Sequence, residues 1–156
     1  MSLKTAAHDI RFMKELFLSA ETIARELGDP EPGPEHLVLA SLQLPDGFAA
    51  QVFDELDVTS DKFATAIRQV HTDSLAAIGI IEPALSAAPT PKAGPFRATG
   101  SLNEVFARAR ELAKKRELRS TDVLVAAAER DHGTVARTFA ALDLDRASVI
   151  ARVAQL

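Results

Sequence analysis

The sequence predicts an all-α fold of eight helices, arranged as two four-helix repeats related by a pseudo-twofold axis. Three observations carry this expectation. Apolar residues recur in steps of three and four, with no sustained alternation of period two. Two blocks of residues recur at a nearly fixed offset, the mark of an internal repeat. A segment rich in proline, 82–95, separates the two copies and cannot continue a helix.

The repeat is explicit in the residues. Glu15, Phe17, Ala20 and Ala24 recur as Glu104, Phe106, Ala109 and Ala113, an offset of 89. Gly47, Ala50, Phe53, Leu56 and Asp57 recur as Gly133, Ala136, Phe139, Leu142 and Asp143, an offset of 86. Three residues are therefore absent from the second copy, and the loop Asp29 to Pro34 is where exposed backbone tolerates the loss. The expected organisation is a first repeat over 10–78, a linker over 79–95 and a second repeat over 96–156, together one pseudo-symmetric domain.

The elements follow in order. Ile10, Met13, Phe17, Ala20, Ala24 and Leu27 make one apolar stripe on the first helix. Gly28 ends that helix. Pro34 suits the first turn of the second helix, where a missing N–H costs nothing. Leu37, Val38, Leu39 and Leu42 make this helix apolar enough to be central. Pro45, Asp46 and Gly47 break it. A short third helix runs through Ala50, Val52, Phe53 and Leu56. Thr59 or Ser60 caps the fourth, which buries Phe63, Ile67 and Val70. In the second copy Ser101 and Glu104 have the spacing of a capping box. Leu102, Val105, Phe106, Ala109, Leu112 and Ala113 form the stripe that follows. Ser120 or Thr121 is expected to cap the next helix, with Val123, Leu124 and Ala127. Gly133 starts the short helix of Val135, Ala136 and Phe139, and Asp145 caps the last, with Val149, Ile150 and Val153.

Composition narrows the function. The chain has 156 residues, is 47% hydrophobic and 26% charged, and contains no cysteine. Thiolate metal sites and disulfides are excluded, and a reducing cytoplasmic compartment is the expected setting. No apolar run approaches a membrane span, and no signal peptide is visible at the start. Trp and Tyr are absent, which disfavours base-stacking platforms. The net charge of −4 disfavours nonspecific nucleic-acid binding. That charge is unevenly divided. Residues 13–78 hold 4 Lys/Arg against 12 Asp/Glu, and residues 96–156 hold 11 against 8. Mutual attraction of the two halves accounts for this division, and a partner-facing surface of mixed sign is the other reading.

Catalytic chemistry finds no support. There is no phosphate-binding loop of the Gly-x-x-x-x-Gly-Lys type, no nucleophile elbow and no thiol. His8, His36, His71 and His132 show no metal-binding spacing, so neither a metal site nor a cofactor is expected. His36 reads as a packing or hydrogen-bonding residue. Phe12, Phe17, Phe53, Phe63, Phe106 and Phe139 fall with the apolar stripes and are expected in the core. Phe48 and Phe96 lie off the stripes and are candidate exposed anchors.

Gly33-Pro34-Glu35-His36-Leu37-Val38-Leu39-Ala40 resembles the Gly-Thr-Glu-His-Leu-Leu-Leu-Gly signature of the Clp N-terminal repeat. The segment from Gly47 to Val58 resembles the stretch that follows it in that family. Ser120-Thr121-Asp122-Val123-Leu124 stands where the signature should recur. The resemblance covers roughly residues 10–156. It implies a pseudo-dimeric, non-catalytic domain that binds substrates, adaptors or ligands for a Clp-type unfoldase, whose ATPase modules are not encoded here. In the ClpC branch it implies recognition of phosphoarginine through the Glu of each signature. On that basis Pro34, Glu35, His36, Thr121 and Asp122 are the candidate binding residues. Several departures bear on this. Pro34 replaces the signature Thr, Asp122 is one methylene shorter than Glu, and Val123 replaces the His. Asp57 and Asp143 stand where a helix-ending Gly is usual. A helix start supplies N–H groups to a phosphate and a carboxylate supplies a partner for the guanidine fork, while an acidic residue there also simply complements the helix dipole. A helical DNA-binding protein is the alternative class, favoured only by the basic second half.

Overall fold

The computed structural model describes residues 2–80 and 98–156. Most of the expected linker, and Phe96, lie outside the described residues. The described residues form eight helices: α1 (Leu3–Glu26), α2 (Pro34–Ser41), α3 (Phe48–Glu55), α4 (Ser60–Ala77), α5 (Gly100–Ala113), α6 (Ser120–Ala128), α7 (Thr134–Ala141) and α8 (Arg146–Val153). No strand occurs among the described residues.

The order is built around α2 and α6. Every residue of α2 is buried, and so is every residue of α6 except the half-buried Val125. A helix that is apolar on all sides can satisfy itself only in the middle of a bundle. These two short helices pack against each other across the pseudo-twofold axis. Around them, α1 packs on α2 as α5 packs on α6, and α3 meets α6 as α7 meets α2. In the same way α4 lies on α7 and α8 on α3, so the outer helices of each repeat lock onto the other. One hydrophobic core results, with Leu16, Leu37, Val52, Phe53, Phe63, Ile67, Leu102, Leu124 and Phe139 among its most buried members. Each such side chain contributes about 1.5–3 kcal/mol by leaving water.

The buried face of α1 and the cap of α5 differ from the sequence expectation. The buried stripe of α1 is Phe12, Leu16, Ala20, Ile23 and Ala24, while Ile10 is 69% exposed and Met13, Phe17 and Leu27 are only partly buried. Ala20 and Ala24 of the expected stripe are buried, as is Phe12, while packing against α2 takes in Leu16 and Ile23 in place of Ile10, Met13 and Phe17. In α5, Thr99 rather than Ser101 is the cap, its hydroxyl accepting from Leu102 N at 3.2 Å. Glu104 instead pairs with Arg130 at 2.8 Å, so the Ser101–Glu104 box does not form. Thr59 and Asp145 cap α4 and α8 as expected. Gly28 has φ +82° just past Leu27, the C-cap of α1, and Gly133 has φ +93° before α7. Asp57 and Asp143 both take positive φ, at 56° and 52°, which is the glycine-like geometry the repeat demands.

The structure also places the missing residues more finely. Ala113, the counterpart of Ala24, is the last residue of α5, whereas α1 continues to Glu26. The shortening is therefore shared between the end of a helix and its loop. From that point the offset is 86 throughout, because Gly33 and Arg119 are the respective residues that precede α2 and α6.

Candidate functional site

The sites sit where the buried helices α2 and α6 begin. A buried helix start leaves N–H groups that must find acceptors. In α2, Gly33 N–H donates to His36 Nδ1 at 2.8 Å. That bond fixes the tautomer, because an accepting Nδ1 leaves Nε2 as the donor. Nε2 then donates to Asp29 Oδ2 at 2.8 Å. His36 is 1% exposed and has both ring nitrogens engaged, the packing and hydrogen-bonding role read for it. In α6, Arg119 N–H donates to Asp122 Oδ2 at 2.9 Å. Asp122 is therefore the counterpart of His36 and not of Glu35, and the position of Glu35 is occupied in the second repeat by the buried Thr121. The sequence register placed Asp122 one position off.

Asp122 is also committed internally. Arg116 Nη1 donates to its Oδ2 at 2.7 Å, and Arg116 Nη2 reaches Oδ1. The hydrogen bonds to that carboxylate, more than charge attraction, push the Arg116 guanidinium further above its ordinary value. Ser120 does not cap its own helix through its side chain. Its N–H and hydroxyl both donate to Asp46, the N–H at 2.7 Å, and its Oγ accepts from Ala49 N at 2.9 Å. The start of α6 and the start of α3 thus cap each other across the repeat boundary.

Glu35 behaves differently. It is 8% exposed, and its carboxylate makes no hydrogen bond among the described residues. Its nearest ionisable neighbour on its own helix is His36, with Oε1 at 3.8 Å from Nδ1. The carboxylate folds back over Gly33, where a Cβ would lie 2.9 Å from Oε2. Glycine at 33 is what gives this carboxylate room.

Two pockets flank the helix starts, and they are counterparts under the 86-residue offset. One, of about 230 Å³, is lined by Gly33, Pro34 and Glu35 from the first repeat and by Arg130, Thr134 and Arg137 from the second. The other, of about 440 Å³, is lined among others by Asp46, Phe48, Arg116 and Arg119. In the second pocket the polar groups are consumed internally: Asp46 by Ser120, Arg116 by Asp122, and Arg119 by stacking 5.3 Å above the Phe48 ring. Phe48 is half-buried and covered by that guanidinium. In the first pocket Pro34 offers no donor and Glu35 stays unpaired. Arg130 and Arg137 each use one arm, toward Glu104 and Ser74, at 2.8 Å in both cases.

Sequence reasoning missed Arg130, Arg137, Asp29 and His71. Asp29 and His71 approach Glu35 closely, the three offering ligand atoms all within 4.8 Å of one another. His71 lies on a different helix, far along the chain from Asp29 and Glu35, so no spacing rule could have joined the three.

The comparisons with known proteins agree with this architecture. Residues 12–142 match the family described as the Clp repeat (R) N-terminal domain. A search of curated proteins finds no significant match. Among solved structures, the chain is similar to the Hsp104 N-terminal domain from Candida albicans, with a TM-score of 0.60 and 14% identity. The alignment covers 90% of this chain and 85% of that one. At that identity the likeness speaks to the fold.

Proposed function

The chain belongs to the Clp repeat N-terminal domain family, and from that premise we propose that it is a non-catalytic protein-binding module serving a Clp-type unfoldase system. In this reading it receives substrates or adaptors, and arginine-phosphorylated segments are the ligands its open pocket suits. The observation that carries the finer part is the unpaired Glu35 carboxylate, which lines one pocket with Arg130, Arg137 and the start of α7. A guanidine fork would meet Glu35 through charge-assisted hydrogen bonds. The attached phosphate would meet the two arginines and the N–H groups of the helix start. Pro34 forms a wall of the pocket, and His36 positions the loop before it. Asp122 is held by Arg116 and Arg119 N–H, so the second repeat contributes no equivalent carboxylate.

A nucleic-acid role would have to rest on the basic second half. There Arg108, Arg116 and Arg152 are paired with Glu129, Asp122 and Glu55, which argues against a free phosphate-binding stripe.

The test is a titration with a phosphoarginine-containing peptide, with its unmodified arginine twin as control. The phosphorylated peptide should bind preferentially, and Glu35→Ala should weaken it roughly 10- to 100-fold, as expected for a charge-assisted contact. Because Glu35 makes no hydrogen bond, its melting temperature should stay within about two degrees of the parent. Unchanged affinity with a large loss of stability would instead make Glu35 a helix-start residue only. Capture of unfoldase subunits, or of their substrates, from lysate of the source organism tests the broader reading.

A further inference from the structure

We propose that Asp29, Glu35 and His71 form a binding site for one divalent transition-metal ion of the zinc type. The site joins the loop after α1, the first turn of α2 and the second half of α4. Each residue offers one ligand atom, and these atoms lie within 4.8 Å of one another. Asp29 Oδ1 and His71 Nδ1 are already 3.7 Å apart. A tetrahedral ion held at ~2.0–2.1 Å requires ligand atoms about 3.3 Å apart, so the side chains need to close by only a fraction of an ångström to about 1.5 Å. Two carboxylates and an imidazole are a donor set such ions accept, and three protein ligands leave a fourth position for water.

Three further features make this more than a group of acidic residues. Glu35 is more than nine-tenths buried, lacks any hydrogen bond among the described residues, and presents its carboxylate to the other two ligands. Its oxygens keep only a narrow contact with solvent, and a cation held there supplies an opposite charge at close range. Asp29 is oriented from behind, its Oδ2 accepting from His36 Nε2 at 2.8 Å, which leaves Oδ1 turned toward His71. Such a second contact is what holds a ligand in its binding orientation. Finally, His71 has about a third of its side chain exposed, so an ion has a route in. The inference does not depend on the peptide-binding reading, although both use Glu35.

The experiment is a calorimetric titration of tag-free, chelator-treated protein with Zn²⁺ alone, with Co²⁺ absorption as a second readout. One ion per chain is expected, with the Co²⁺ bands of a nitrogen–oxygen site of low coordination number. His71→Ala and Glu35→Gln should each weaken binding about tenfold or more, the scale on which changes around a metal site act. His132→Ala removes an exposed histidine beside Asp131 and should leave affinity unchanged. His71 is partly exposed, so its variant should fold, which circular dichroism checks. Absence of saturable binding, or full affinity in either His71→Ala or Glu35→Gln, would overturn the assignment.

Discussion

His36 and Asp122 occupy the same helical position in the two repeats, and each accepts the backbone N–H of the residue that precedes its helix, at 2.8 Å and 2.9 Å. An imidazole and a carboxylate thus perform one task. The repeats have kept a requirement of the buried helix start while changing the residue that meets it. What differs is the second partner: His36 reaches an acid, Asp29, and Asp122 reaches a base, Arg116.

Asp122→Ala should therefore lower stability by about 1.5–3 kcal/mol, because it leaves the part-buried Arg119 N–H without its charged acceptor and frees Arg116. Asp122→Asn retains an acceptor and should lose less. Arg116 is nearly half exposed, so Arg116→Ala should cost well under half as much as Asp122→Ala. Urea denaturation of the three variants decides the matter. Equal losses from Arg116→Ala and Asp122→Ala would mean the ion pair, not the cap, is the stabilising contact.

Ser120 ties the repeats together through Asp46 and Ala49. Ser120→Ala should cost about 1–3 kcal/mol by leaving two groups without their partner. Its local signature is faster hydrogen exchange at the Ala49 amide, measured by NMR. Retained protection at Ala49 would show that the bond across the boundary is dispensable.

Phe63 stands between Phe53 and Phe139, with ring centroids 5.5 Å away on either side, and is fully buried. It links the first repeat to the second. Phe63→Ala should cost about 3–5 kcal/mol, and Phe63→Leu distinctly less because it refills most of the space. A mild Phe63→Ala phenotype in thermal melts would mean the neighbouring helices collapse into the vacancy.

Asp57 and Asp143 are held in the left-handed region, which L-residues occupy at a cost and glycine does not. Asp57→Gly and Asp143→Gly should each raise stability, by about 0.5–1 kcal/mol, with roughly additive effects in the double variant. Asp57→Ala should lower it. A glycine variant less stable than the parent would show that the aspartate side chain contributes locally more than the strain costs.

The fold was legible because its signals are local or periodic. A second copy of Glu15, Phe17 and Ala20 in Glu104, Phe106 and Ala109 announces the repeat. The unbroken apolar runs at Leu37 and Val123 announce buried helices, and Thr59, Gly133 and Asp145 mark their boundaries. The errors lie where two local choices are nearly equal. Two overlapping apolar faces of α1, sharing Ala20 and Ala24, compete for burial, and Thr99 competes with Ser101 for one cap. The equivalence of Asp122 with His36 was missed for a similar reason. A one-residue shift leaves apolar residues matched to apolar residues, and only the hydrogen bonds to Gly33 and Arg119 tell the registers apart.

By itself, then, the sequence determined an all-helical double repeat and its two central helices, and it singled out Glu35 and His36 as candidates, since these follow from periodicity and from residues adjacent in the chain. Only the tertiary structure decided which carboxylate is free. It spent Asp46 on Ser120 and Asp122 on Arg116, left Glu35 unpaired, and brought Asp29 and His71 to its side. The physical reason is that a buried polar group is defined by the partners that reach it, and those partners come from whichever helix packing places nearby, at distances along the chain that no pattern in the sequence records.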